Sequence, residues 1–68
     1  MSPSEIIICH FLKKYGTMVI SQICLRSGLK PSTAFRASER LRDQGVINIS
    51  PMGWLKLNKE FKNKIKIL

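Results

Sequence analysis

Sixty-eight residues carry twelve Lys and Arg against four acids, a formal net charge of +8, a pI of about 10.1 and 44% hydrophobic side chains. A chain this short holds one domain at most, and its apolar fraction is that of a globular protein rather than a disordered one. No apolar run approaches about 18 residues, which excludes a transmembrane helix, and the basic balance calls for an anionic partner, a nucleic acid or an anionic membrane surface.

The amino end lacks the basic start, apolar core and small-residue cleavage site of a secretory signal, which points to an intracellular protein. Ser2-Pro3-Ser4-Glu5 reads as a helix start: Ser2 caps, Pro3 fits the first helical position and Glu5 completes a capping box. The helix is expected over 3–15. Ile7, Ile8, Phe11, Leu12 and Tyr15 form one broad apolar stripe on it, and Lys13, Lys14 and Gly16 mark its end. Ile6 and His10 lie off the stripe, either simply exposed or in contact with a second copy.

Thr17-Met18-Val19 is β-prone and long enough for one edge strand. A second helix is expected over 20–27, with Ile20, Ile23 and Cys24 inward, Gln22 and Arg26 outward, and Gly28 in the left-handed conformation that stops it. Leu29 then plugs the turn. Pro31 opens a third helix, expected over 31–44. Ala34, Ser38 and Leu41 share its inner face, Ser32, Thr33, Arg36, Glu39 and Arg40 lie opposite, and Phe35 and Arg42 flank the core. Gly45 ends it.

A hairpin over 46–57 follows, turning at Pro51-Met52-Gly53, with Pro at the second position of a type I turn and Gly in the left-handed position after it. Trp54 is expected to pack under this hairpin, the alternative being a stack on a partner. Asn58 caps a last helix over about 59–66, on which Phe61, Ile65 and Leu68 share a face among Lys62, Lys64 and Lys66; the same ending also alternates like a strand.

Catalysis has little support. Glu5, Glu39, Asp43 and Glu60 are scattered, His10 has no evident triad partner, and neither a Gly-rich phosphate loop nor a metal-ligand cluster is present. Cys9 and Cys24 fall on or near apolar helix faces and read as small buried side chains. A disulfide between them is the alternative, unusual in a cytosolic protein. No metal, cofactor or small-molecule ligand is expected, and no enzymatic activity.

Nucleic-acid binding has more support. Two helices joined by a tight Gly-containing turn make a helix-turn-helix, and the outward face of the second carries Arg36 and Arg40, one turn apart. In a major groove, Arg can hold guanine through two hydrogen bonds, worth about 1–3 kcal/mol of discrimination. Ser32 and Thr33 sit at the start of the same helix, where such motifs approach base edges and phosphates. The alternative is that Arg36 pairs with Glu39 or Asp43 and that Arg40 is merely solvated. Lys13, Lys14, Arg26, Lys30, Ser50 and Lys56 are candidates for phosphate contacts, which fix register without reading sequence, or else form a solvated surface.

With the hairpin added, residues 4–57 resemble the winged helix-turn-helix family. Ile23, Cys24, Gly28, Leu29, Pro31, Ser32, Thr33, Arg36, Leu41, Gly45, Val46 and Ile47 carry the resemblance. It implies an α+β, mostly α fold of order α-β-α-α-β-β-α, with the third helix in the major groove of double-stranded DNA and the hairpin as wing. Lys30 departs from the family by standing where a capping Ser or Thr is usual, which leaves helix N–H groups open to a phosphate. Ser38 stands where a large apolar residue is common, which suggests a thin core. The uncharged wing tip contributes little, or touches the backbone through Ser50 and main-chain N–H groups. The expectation is a small stand-alone, repressor-like transcription regulator in the cytoplasm, at the nucleoid. It would be a homodimer through its first or last helix, without a membrane partner. An adaptor in a larger complex and non-specific nucleic-acid binding are the alternatives.

Overall fold

In the computed structural model, which describes residues 2–62, the Ser2 hydroxyl oxygen accepts the Glu5 N–H at 3.4 Å and Pro3 takes the first helical position. Helix α1 (Pro3–Tyr15) grows from this cap and ends at Gly16, whose N–H donates to the Leu12 carbonyl. Strand β1 (Met18–Val19) leads directly into α2 (Ile20–Ser27), where the Gln22 side-chain oxygen accepts the Val19 N–H at 3.4 Å. Gly28 then adopts a left-handed φ of 78° and stops the helix, and the Ser27 hydroxyl accepts the Leu29 N–H at 3.1 Å. Helix α3 (Pro31–Asp43), strands β2 (Ile47–Ile49) and β3 (Trp54–Leu57) and helix α4 (Lys59–Lys62) complete the order. Asn58 caps α4 by accepting the Glu60 N–H at 3.2 Å.

This is the order expected from the sequence, with boundaries shifted by a residue or so. The remainder of the expected terminal helix, with Lys64, Ile65, Lys66 and Leu68, lies outside the described residues.

The three strands form one antiparallel sheet in the order β1-β3-β2. Leu55 stands opposite Met18 on one side and Ile49 on the other, so β3 holds the sheet together. Its hairpin with β2 closes as the turn residues dictate: the Gly53 N–H donates to the Ser50 carbonyl at 2.9 Å and Gly53 has a φ of 89°.

Ile8, Cys9 and Leu12 of α1, Met18 of β1, Ile23 of α2, Ala37 and Leu41 of α3, and Val46, Ile47, Leu55 and Leu57 from the sheet side make the core. Ala34, Ala37 and Ser38 are all buried, and their small size lets α3 lie close against its neighbours. Ser38 introduces no unsatisfied group, because its hydroxyl donates to the Ala34 carbonyl at 2.8 Å.

Several side chains take places other than those expected. The inner face of α1 is Glu5, Ile8, Cys9 and Leu12, while Ile7 and Phe11 sit at its margin and Tyr15 is exposed. The helix is turned relative to its apolar stripe, with Glu5 on the covered side and Tyr15 on the open one. Phe35 is exposed rather than flanking the core. Trp54 is 42% exposed and not packed under the hairpin: strand alternation puts it on the outer face with Lys56, and the buried Leu55 and Leu57 face in. Both cysteines are free, Cys9 buried and Cys24 partly so. Burial first, and the charge of Glu5 second, push the Cys9 thiol up from 9.0 to about 11.

Candidate nucleic-acid interface

Ala34, Ala37, Ser38 and Leu41 of α3 turn inward, which leaves Ser32, Arg36, Arg40 and Arg42 on the exposed side and Thr33 and Glu39 partly covered. Arg36 makes no ion pair or hydrogen bond among the described residues. The acids that could have taken it are engaged elsewhere, since Arg42 Nη2 lies 3.9 Å from Glu39 and 3.5 Å from Asp43. Such surface pairs are worth only about 0–1 kcal/mol. Even so, they leave Arg36 as an uncommitted guanidinium in the middle of the helix.

Arg40 is different. Its Nε lies 3.3 Å from the Glu5 carboxylate of α1, so it is neither merely solvated nor uncommitted. Nothing local in the sequence signals this contact, because the partners are far apart in the chain and Glu5 already had a capping role to explain it.

At the other end of α3, Lys30 is the N-cap residue and contributes no side-chain hydrogen bond. Pro31 has no N–H to satisfy, so the open donors of the first turn belong to Ser32 and Thr33. The wing turn engages Ser50 twice, its hydroxyl oxygen accepting the Trp54 N–H at 3.1 Å and its own N–H donating to the Trp54 carbonyl at 2.9 Å, so that only the hydroxyl proton is left to donate outward.

Two of the phosphate candidates come together where α1 and α2 end. Lys14 Nζ lies 5.4 Å and the Arg26 guanidinium carbon 4.6 Å from the centre of the Tyr15 ring. Tyr15 is itself stacked on Phe11, with centroids 5.8 Å apart. The ring thus fixes two cations from different helices on one support. Sequence reasoning missed this role for Tyr15 by assigning it to the apolar stripe; its place at the helix end, beside Lys14, was the available signal. Lys13 is partly buried and Lys30 exposed. Lys56 stands apart from both groups, on the outer face of the hairpin opposite Asn48, where it helps line an open cleft of about 460 Å³ with Leu12, Gly16 and Thr17.

No protein-family model matches the sequence, and no curated protein sequence matches it. Solved structures do. The chain superposes on the crystal structure of the YusO protein from Bacillus subtilis with a TM-score of 0.81 and 26% sequence identity, covering 94% of this chain and 50% of that one. The fold is a winged helix-turn-helix. The crystal structure of transcriptional regulator Tm0710 from Thermotoga maritima is similar in fold, with a TM-score of 0.82 and 18% identity over 96% of this chain and 49% of that one. The chain therefore spans about half the length of each of these proteins. Within the winged helix, α2 and α3 are the two helices of the helix-turn-helix and the β2–β3 hairpin is the wing. Its tip, Ser50 to Gly53, carries no charge. No helix among the described residues is long and apolar enough to cross a membrane.

Proposed function

We propose that the chain binds double-stranded DNA in a sequence-specific manner and regulates transcription, with α3 in the major groove. The observation that carries this reading is the uncommitted Arg36 on the exposed face of α3, its acidic neighbours already taken by Arg42. A guanidinium without an internal partner can give both terminal nitrogens to a guanine edge. Ser32 and Thr33 precede it on the same helix and serve the same footprint; Lys13, Lys14, Arg26, Lys30, Ser50 and Lys56 hold the phosphate backbone. The net charge of +8 supplies the long-range attraction. The description of the Thermotoga protein as a transcriptional regulator supports the regulatory part of the reading. We read the mode as repressor-like, by a homodimer formed through the first or last helix, at the nucleoid within the cytoplasm.

Selection of bound duplexes from a random pool tests it. The expected result is a recovered motif with two related half-sites about one helical turn apart. Arg36→Ala should then lose about 1–3 kcal/mol of preference at one base pair. Lys14→Ala should weaken all duplexes alike and flatten the slope of log K against log salt by about 0.9. Equal affinity for every sequence would leave a non-specific nucleic-acid binder, and no binding at low salt would leave the adaptor reading.

A further inference from the structure

Glu5 is a carboxylate placed where the α1 stripe would have an apolar side chain. It is 5% exposed within the interface between α1 and α3. A carboxylate so far from water has to be paired and hydrogen-bonded. One partner is local, the Ser2 hydroxyl, which donates to Oε1 at 3.0 Å. The other is an ion pair and not a hydrogen bond: Arg40 Nε of α3 lies 3.3 Å from the same oxygen. The Arg40 side chain is nevertheless 55% exposed, so one edge of its guanidinium lies against a buried anion while the group as a whole still meets solvent.

This division matters because guanidinium is planar and carries five donors in a fixed fork. Nε is the atom in contact with the carboxylate, and among the described residues the terminal nitrogens make no hydrogen bond, which leaves them for an outside acceptor. The contact also removes the side-chain freedom that a solvated Arg would lose on binding. Arg40 follows Arg36 by one turn of α3, so the two lie side by side on the helix.

We propose that Glu5 is a positioning residue for sequence reading: it anchors Arg40 through Nε and thereby presents the terminal guanidinium nitrogens to a base edge beyond the one met by Arg36. The proposal rests on α3 being the DNA-reading helix. Arg36 and Arg40 then act differently. Arg36 is free to adapt, and Arg40 is pre-set by a residue on another helix.

The test uses the full chain and the variants E5Q, R40A, R40K and E5Q/R40A, with the duplex recovered by selection and versions of it changed one base pair at a time. R40A should reduce discrimination at one base pair about tenfold. E5Q keeps the shape and the Ser2 contact but removes the charge, and it should lose several-fold of discrimination at that same base pair. The double variant should read no worse than R40A alone, the non-additivity expected of residues acting as a unit. R40K keeps the charge without the fork, so it should retain overall affinity and lose the preference. E5Q reading the base pair as well as wild type overturns the proposal. So does E5Q binding every duplex more tightly, which would make Glu5 a simple repulsive charge, and so does R40A weakening every duplex alike. A wild-type chain that reads no sequence overturns the proposed function as well; one that reads sequence equally well without the Glu5 charge overturns the positioning role alone.

Discussion

Leu55 and Leu25 offer a controlled comparison, because the same truncation is made at opposite extremes of burial. Leu55 is 0% exposed and lies on the central strand, opposite Met18 and Ile49, whereas Leu25 is 87% exposed on α2. Leu55→Ala loses the transfer free energy of the removed carbons and leaves a cavity that tightly packed neighbours fill only in part, a cost of about 2–5 kcal/mol. A domain of 68 residues has roughly 3–10 kcal/mol of stability in total, so the variant gives up about a fifth of it or more. At about 4–8 °C per kcal/mol for a domain of this size, the melting midpoint should fall by about 8–40 °C. Leu25→Ala should stay within about 0.5 kcal/mol of wild type. Urea and thermal unfolding followed by circular dichroism give both numbers, with an unchanged urea slope showing that the unfolded surface is the same. A loss below about 1 kcal/mol for Leu55→Ala, or equal losses at the two positions, would refute the inward face assigned to β3 and the sheet register with it.

Gly28 has a φ of 78° and an added Cβ would meet nothing within 4 Å, so Gly28→Ala should show the conformational cost alone, about 1–2 kcal/mol by urea denaturation, and Gly28→Asn less. A larger loss would mean that the turn is closed by contacts and not by backbone conformation. Cys9 should resist iodoacetamide at pH 8 in the folded chain and react in urea, as read by mass spectrometry, because burial raises its thiol to about 11. The same shift makes stability depend on pH. The folded chain keeps the Cys9 proton after the unfolded chain has released it, so the contribution is intact below the ordinary value of 9.0 and is lost as pH rises towards about 11. Urea midpoints measured from pH 7 to 11 should fall less steeply for Cys9→Ala than for wild type; equal slopes would assign the alkaline loss to other groups.

Much of the fold is legible because its signals are local. Pro3, Pro31, Gly28, Gly53 and Asn58 each set a start, stop or turn by their own backbone or capping chemistry, and each does so in the structure. What escapes the sequence is which way an element is rotated about its own axis. Periodicity groups Ile8, Leu12 and Tyr15 on a stripe of α1, but the neighbours of α1 decide which edge of that stripe is covered. With Glu5 against α3, Cys9 is buried and Tyr15 is exposed. At Trp54 two signals conflicted, its size against its alternation with Leu55, and the strand's period of two prevailed. In the candidate site, Ser32, Thr33 and Arg36 follow from helical position alone. The Lys14, Tyr15 and Arg26 cluster and the anchoring of Arg40 need two helices brought together, and no one-dimensional pattern encodes that.

The strand lengths have a consequence for how copies of this chain can meet. Among the described residues the sheet's two outer strands are only Met18–Val19 and Ile47–Ile49, and the first runs straight into a helix. A foreign strand arriving at either margin finds two or three residues to pair with, too few to template a growing ladder. Stacking of molecules into fibres through main-chain pairing is therefore disfavoured by architecture, even though the hairpin is rich in β-branched and aromatic residues.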